Sequence, residues 1–136
     1  MRKWFGAKVL LAVFLFTLCA HAQSDSTLPE PTQNPDAAYR LFRTRNVYTL
    51  LKLDTRTGQL SQVQWGEEGD RFTEVINQAV LAPIGTATKP TALKPGRFTL
   101  CPTPNIYTFV LLDQEDGRTW QVQWGDSKHR FIVAIP

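Results

Sequence analysis

The stretch QVQWG at residues 62–66 returns unchanged at residues 121–125, 59 positions further along the chain. With the chain shifted by 59 positions, residues 46–77 align without a gap on residues 105–136, and 14 of the 32 positions are identical. Self-similarity at a fixed period indicates that one structural unit has been duplicated. The repeated stretch is therefore part of a larger unit, and the fold of that unit decides the fold of the protein.

Each unit has the composition of antiparallel strands. Apolar residues that are β-branched or aromatic alternate with polar ones, and the segments are separated by turn residues. We expect four strands in each unit, and the third of them contains QVQWG. We predict an all-β domain of two tandem antiparallel meanders with pseudo-twofold symmetry, because a single meander would leave its apolar face in water.

Changes in composition along the chain predict its organisation. A polar, proline-containing leader precedes the domain, and a second proline-rich segment separates the two units. The predicted segments are a cleaved signal peptide at 1–22, a flexible leader at 23–38 and a single domain at 39–136, which comprises repeat one at 39–77, a connection at 78–96 and repeat two at 97–136.

The N-terminus is typical of a secretory signal. Three basic residues accompany the apolar run VLLAVFLFTL, and the small-x-small sequence Ala-His-Ala predicts cleavage between Ala22 and Gln23. An apolar run of this length falls short of the roughly 20 residues that a membrane span needs. We therefore expect a secreted or periplasmic protein without a transmembrane segment after cleavage. The alternative is a lipoprotein acylated at Cys19.

Signal cleavage changes what charge and cysteine content imply. The chain has 15 Lys and Arg, of which three precede the cleavage site, and 12 Asp and Glu, none of which does. The mature chain is then formally neutral, which argues against nucleic acid as a partner. Cys101 would be its one cysteine, so no intramolecular disulfide is expected. Its apolar surroundings predict a buried side chain.

An Asp-x-x-x-Gly turn follows the second strand of each unit, at 54–58 and at 113–117. Asp and Gly at these positions favour a tight hairpin. A three-residue loop would set Leu51 opposite Val63, and a four-residue loop would set Leu51 opposite Gln62, with the same choice in the second unit. Burial of the apolar residues favours the three-residue loop.

The period of two in WQVQW separates the apolar from the polar side chains. Trp120, Val122 and Trp124 share one side of the strand, and Gln121 and Gln123 share the other. We predict that Val and Trp of the repeated stretch face the core and that Gln faces outward.

The face opposite the tryptophans is the first candidate for a functional surface. In the favoured register, this face is apolar in the second unit, so it is either covered by the rest of the protein or an exposed docking surface. Two arginines of the first unit replace prolines of the second and would form either a charged sheet edge or a basic stripe. The possible ligand or partner surface comprises Phe109, Leu111, Gln121, Gln123, Arg43 and Arg45.

Residues for catalysis are few. His129 is the one histidine of the mature chain, and no known local signature surrounds it or Cys101. One His and one Cys do not make a zinc site, no calcium-loop spacing is present, and no cofactor-binding motif occurs. Asp54 and Asp113 form a pair by repetition, as glycosidase carboxylates do, but their positions are those of turn residues. We predict no catalytic, metal or cofactor site.

The LDTRTG…W hairpin resembles hairpins in the blades of β-propellers, including quinoprotein-type repeats. A propeller needs at least four blades, and one chain supplies two units. The wider pattern Y-T-x-x-x-L-D-x-x-x-G-x-x-x-Q-V-Q-W is similar to small secreted bacterial proteins without a characterised role, and the resemblance covers most of residues 39–136. It implies no activity and no site residues.

Three hypotheses of function follow. The first is a non-enzymatic module that binds an envelope or extracellular protein or another envelope component. The second is a carbohydrate-binding module with Trp or Tyr platforms. The third is a small hydrolase that uses Asp54 and Asp113, or Cys101 and His129.

Overall fold

The computed structural model describes residues 34–82 and 92–136, and these residues form strands, turns and irregular segments without a helix. The predicted signal peptide, most of the predicted leader and the middle of the connection lie outside the described residues. The strands are β1 (Tyr39–Arg43), β2 (Thr49–Asp54), β3 (Leu60–Gln64), β4 (Phe72–Val75), β5 (Phe98–Pro102), β6 (Thr108–Asp113), β7 (Thr119–Gln123) and β8 (Phe131–Ile135).

The strands form two sheets of four. Sheet 1 has the order β1-β2-β3-β4, and sheet 2 has the order β5-β6-β7-β8. Every neighbouring pair is antiparallel. The predicted fold class, all-β with two tandem antiparallel meanders in one domain, is confirmed.

The hairpin register differs from the favoured prediction. Leu51 pairs with Gln62 rather than with Val63, and Val110 pairs with Gln121. The hairpin has the four-residue loop, which was the alternative to the favoured register. Burial could not choose between the two registers in the second repeat, because β6 is apolar on both of its faces.

The turn itself sets this register. The N–H of Asp54 donates to the carbonyl of Gln59, and the N–H of Gly58 donates to the carbonyl of Asp54, both at 2.9 Å. Gly58 and Gly117 have φ values of 77° and 78°, in the left-handed region that glycine adopts without strain. Loop length and turn type therefore determine which side chains share a face.

The two sheets bury opposite faces of the same repeat. In sheet 1 the buried apolar side chains of β2 are Leu51 and Leu53, whereas in sheet 2 those of β6 are Phe109 and Leu111. At the 59-residue offset, Phe109 corresponds to Leu50, which points to the other side of sheet 1 from Leu51. A pseudo-twofold axis would bury the same face twice. The repeats are instead related head to tail, unlike the predicted symmetry.

The core lies between these inner faces. It comprises Phe42, Leu51, Leu53, Leu60, Ala82, Phe98, Leu100, Phe109, Leu111, Trp120, Val122 and Trp124. At one end of the interface the N–H of Gly125 in sheet 2 donates to the side-chain oxygen of Gln62 in sheet 1 at 3.2 Å. Arg130 forms an ion pair with Glu74 of sheet 1 at 2.5 Å.

The β2–β3 turn joins the repeats at the other end. The carbonyl of Thr55 accepts the N–H of Phe98 at 2.8 Å, and the carbonyl of Thr57 accepts the N–H of Leu81 at 2.8 Å. The Thr55 hydroxyl accepts the N–H of Gly96 at 2.9 Å. The β2–β3 turn of the first repeat thus binds the start of the second repeat through hydrogen bonds.

Each sheet leaves one face outside this core. We call the outward side of sheet 1 outer face 1; its central residues are Leu50, Lys52, Ser61 and Val63. The outward side of sheet 2 is outer face 2, with Val110, Leu112, Thr119 and Gln121 at its centre. Most of these side chains are half-buried, and Ser61 is buried.

Candidate functional site

Two aromatic rings lie together on the surface at the end of sheet 1. Tyr48 and Trp65 are 54% and 53% exposed, and their ring centroids are 5.5 Å apart with the planes tilted by 60°. Trp65 follows β3 and has the same parity as Val63, so it extends outer face 1. We call Tyr48 and Trp65 the aromatic platform.

The β1–β2 turn holds the platform in place. The side-chain oxygen of Asn46 accepts the N–H of Tyr48 at 2.9 Å, and the Thr44 hydroxyl lies 2.8 Å from the carbonyl of Thr49. The N–H of Trp65 donates to the carbonyl of Tyr48 at 2.9 Å. Asx-type bonds of this kind order a turn without help from the rest of the protein.

The second repeat has the same local arrangement but buries its tryptophan. Tyr107 and Trp124 are 5.4 Å apart with the planes tilted by 54°, and the Trp124 N–H donates to the Tyr107 carbonyl at 3.0 Å. Trp124 is 3% exposed and belongs to the core. Thus the two Tyr–Trp pairs differ in exposure and not in local geometry.

Two of the residues proposed for a partner surface are in the core. Phe109 is 4% exposed and Leu111 is fully buried. Both lie on the inner face of sheet 2, because the four-residue loop pairs Phe109 with Val122 and Leu111 with Trp120. The error in register thus placed these two side chains on the wrong face.

The other four proposed residues do not form one site. Gln121 and Gln123 are half-buried on the outward side of sheet 2, and the Thr108 hydroxyl lies 3.1 Å from the side-chain oxygen of Gln123. Arg43 is half-buried at the end of β1, and Arg45 is exposed in the turn after it. The glutamines and Arg43 therefore lie on opposite outer faces of the domain, and Arg45 lies in a turn.

The Asp113 carboxylate is committed to an ion cluster. Arg97 contacts it through Nε at 3.0 Å and through Nη2 at 2.7 Å. Arg97 also pairs with Glu115 at 2.9 Å and with Asp116 at 3.5 Å. Arg118 bridges Asp113 and Asp116 at 3.2 and 2.6 Å. Two guanidinium groups thus form ion pairs with the acidic side chains of this turn.

The equivalent Asp54 is paired as well. Its carboxylate accepts the Nε and Nη2 of Arg56 at 3.0 and 2.7 Å. Burial by itself would raise the pKa of both aspartates, but arginine hydrogen bonds and backbone N–H donors outweigh it and lower each pKa below its usual range. A general acid needs the opposite shift. This pair is better suited to holding turns than to catalysis.

Cys101 and His129 are not brought together. Cys101 is exposed, contrary to the predicted burial, and lies on β5 at one edge of sheet 2. His129 is in the β7–β8 turn near the other edge, two to three strand spacings of about 4.8 Å away. His129 helps to line a shallow, open hollow with Gln123, Lys128, Arg130 and Phe131.

Within residues 34–82 and 92–136, no group of three His, Cys, Asp or Glu side chains is arranged to hold a metal ion. The same part of the chain contains no helix long and apolar enough to cross a membrane.

Sequence reasoning missed the aromatic platform, because it assigned both copies of the tryptophan to the core. A signal for it exists in the neighbouring positions. Lys52 stands where the second repeat has Leu111, and Ser61 stands where it has Trp120. The first repeat therefore lacks the apolar neighbours that bury Trp124.

Comparisons with models of known protein families, with curated proteins and with solved structures found no match.

Proposed function

We propose that the protein is a secreted or periplasmic, non-enzymatic module that binds an envelope or extracellular partner through the aromatic platform and outer face 1. One observation carries this proposal. Trp65 is 53% exposed, while Trp124 in the same local arrangement is 3% exposed. An exposed tryptophan on a preordered turn supplies a large contact area at little entropic cost, which is why tryptophan is enriched among binding hot spots.

The surroundings of the platform suit a partner with apolar surface. Outer face 1 continues from Trp65 into Val63 and Leu50, which pair across β2 and β3 and are both half-buried. Apolar side chains that adjoin on a surface are typical of protein interaction sites. The formally neutral mature chain also fits a partner that is not strongly charged.

Affinity capture with chemical crosslinking from the envelope fraction tests the proposal. We expect the wild-type protein to recover a defined partner, and Trp65→Ala to lower its recovery about tenfold or more, as truncation of a hot-spot tryptophan does. Leu93→Ala is the matched control, since Leu93 is an exposed apolar residue of the connection. Equal recovery with Trp65→Ala and with Leu93→Ala would contradict the proposal.

A glycan is the second candidate for the ligand. It is favoured by the two adjacent exposed rings of Tyr48 and Trp65, since tryptophan and tyrosine rings stack on sugar faces. Titration with envelope glycans should shift the tryptophan emission of the wild-type protein and leave that of Trp65→Phe nearly unchanged. If none of the glycans tested changes the tryptophan emission, a glycan is excluded as the ligand among those tested.

The hydrolase hypothesis has the least support. Both aspartates are paired with arginine and have a lowered pKa, and Cys101 and His129 lie near opposite edges of a sheet.

A further inference from the structure

At the 59-residue offset, outer face 2 corresponds to the inner face of sheet 1, which is packed inside the molecule. Across sheet 1 the inner face carries the row Phe42, Leu51, Gln62 and Glu74. The equivalent row across sheet 2 lies on outer face 2 and reads Cys101, Val110, Gln121 and Val133. Val133 is 52% exposed. This surface has the residue pattern of the inner face of sheet 1, but within residues 34–82 and 92–136 no second sheet covers it.

Outer face 1 stands in the same relation to the inner face of sheet 2. The inner row of sheet 2 reads Pro102, Phe109, Val122 and Ile132. Its equivalent on outer face 1 reads Arg43, Leu50, Val63 and Thr73. Trp65 and Tyr39 are 53% and 56% exposed there, whereas their equivalents Trp124 and Phe98 are 3% and 0% exposed.

The turns show the same difference. An added Cβ at Gly58 would meet Phe98 at 3.1 Å and Leu81 at 3.2 Å, so the first turn is covered by the start of the second repeat. At Gly117, an added Cβ would meet no described residue within 4 Å. Among the described residues, the glycine of the second turn is thus not covered as Gly58 is, although it has the same backbone conformation.

We propose that a second copy of this chain docks head to tail on the first, with outer face 1 of one copy seated on outer face 2 of the next. The inference rests on the proposed function, because it identifies the partner of outer face 1. The contact would repeat the interface between the two sheets of one chain. Trp65 would be covered at the position of Trp124, with Lys52 and Ser61 beside it in place of Leu111 and Trp120. The N–H of Gly66 would meet Gln121 of the neighbouring copy as the N–H of Gly125 meets Gln62.

Such a contact is heterologous, because it joins outer face 1 of one copy to outer face 2 of the next. In a pair of copies, one outer face of each therefore stays available for a further contact. Head-to-tail contacts form a closed ring when the rotation per copy closes and an open chain when it does not. A closed ring of four-stranded sheets needs at least four of them, which corresponds to two or more copies of this chain.

Light scattering after size exclusion tests the assembly on the purified protein. We expect a mass of at least two copies for the wild-type chain. Val63→Glu on outer face 1 and Val110→Glu on outer face 2 should each weaken self-association about a hundredfold or more, because each would bring a carboxylate from water into the contact. Val47→Glu and Ile106→Glu are matched controls in equivalent turns, at 73% and 42% exposure, and should leave the mass unchanged.

Mixing the two interface variants distinguishes head-to-tail docking from a symmetric contact. Val63→Glu keeps outer face 2 intact, and Val110→Glu keeps outer face 1 intact. An equimolar mixture should therefore form a complex of two copies, while each variant alone is monomeric. A monomeric wild type, a monomeric mixture, or a single variant that assembles like the wild type would each overturn the proposal.

Circular dichroism and thermal melting check that each variant folds. If Val63→Glu or Val110→Glu is unfolded, Val75→Glu and Val133→Glu replace them, at 37% and 52% exposure on the same two faces. The two proposals fail separately. A monomeric wild type that still recovers an envelope partner through Trp65 would contradict self-assembly and leave the binding module standing.

Discussion

The two copies of QVQWG are identical in sequence, but they bury opposite faces of the strand. In the first copy Gln62 is 4% exposed and faces the core, while Trp65 is 53% exposed. In the second copy Trp124 is 3% exposed and Gln121 is half-buried on the outward side. A strand presents alternate residues to opposite faces, so either half of the motif can face a core. The motif specifies a strand and its turn, and its neighbours decide which face is buried.

The two copies of QVQWG differ in the residues that lie beside their tryptophans. In the second repeat, Leu111 and Trp120 add apolar area to the side of Trp124, and both are nearly or fully buried. In the first repeat, Lys52 and Ser61 occupy these positions. Burial of apolar area is worth roughly 25 cal/mol per Å², so the second repeat gains most by burying the tryptophan side.

The largest expected difference between the copies is in their tryptophans. Trp124→Ala should lower the free energy of unfolding by about 4 kcal/mol, because it leaves a large cavity in the core. Trp65→Ala should lower it by about 1 kcal/mol or less, as truncations at exposed positions do. Urea denaturation measures both. The Val110→Glu background removes the proposed self-association, so that only the folding of one chain is compared.

Similar losses for the two tryptophan variants would contradict the opposite burial of the repeats. Phenylalanine variants provide a control, because Trp65→Phe and Trp124→Phe keep an aromatic ring next to Tyr48 and Tyr107. They should keep the same order with smaller losses.

Much of the fold could be predicted from the sequence, because periodicity and turn chemistry are local. The 59-residue offset predicts two meanders, and the Asp-x-x-x-Gly stretches predict the hairpin turns. The register depended on one loop residue, and the apolar character of β6 on both faces hid the error. The fold class was accessible to sequence reasoning, and the register was not.

The relation between the repeats could not be predicted for a different reason. Equal sequence suggests equal environment, so Trp65 and Trp124 were both expected in the core. Which face of a sheet is covered depends on the second sheet, and that is a property of packing rather than of the strand. The exposure of Trp65 follows from this packing, and the only sequence signal for it is the polar residues Lys52 and Ser61 at the positions of Leu111 and Trp120.

The second expected difference concerns the turn aspartates. Asp113 is fully buried beside Arg97, whose side chain is 6% exposed. Asp113→Asn keeps an acceptor for the turn but removes its charge-assisted hydrogen bonds with Arg97, and because Glu115 and Asp116 still pair with Arg97 the cost should be about 2 kcal/mol. Asp54→Asn should cost clearly less, because Arg56 is 33% exposed and can turn to water. Thermal or urea denaturation of the two variants measures the difference.

The pH dependence of stability provides a check on the same pair. The pKa of Asp113 is lowered in the folded protein, so its contribution to stability is fully present above its ordinary pKa near 4 and is lost as the pH falls below it. The wild-type protein should therefore lose stability more steeply than Asp113→Asn on acidification below about pH 4. Parallel acid profiles would contradict the role of the charged pair.

A smaller difference is expected for the glutamines. Gln62→Met keeps the length of the side chain but leaves the N–H of Gly125 without its acceptor, which should cost about 1 kcal/mol. Gln121→Met lies on the outward side and should change stability by less than about 0.5 kcal/mol. Urea denaturation in the Val110→Glu background compares them, and equal effects would mean that the Gln62 bond adds nothing to the contact between the sheets.

The last expected difference, between Thr49 and Thr108, has the opposite sign. The hydroxyl of Thr49 is buried and has no hydrogen-bond partner among the described residues, whereas the Thr108 hydroxyl lies 3.1 Å from the side-chain oxygen of Gln123. Thr49→Val should raise the free energy of unfolding by up to about 1 kcal/mol, because it removes an unsatisfied polar group. Thr108→Val should lower it slightly. Stabilisation by both variants would show that the hydroxyl environments of the two repeats do not differ, since valine would then be favoured simply as a residue that suits strands.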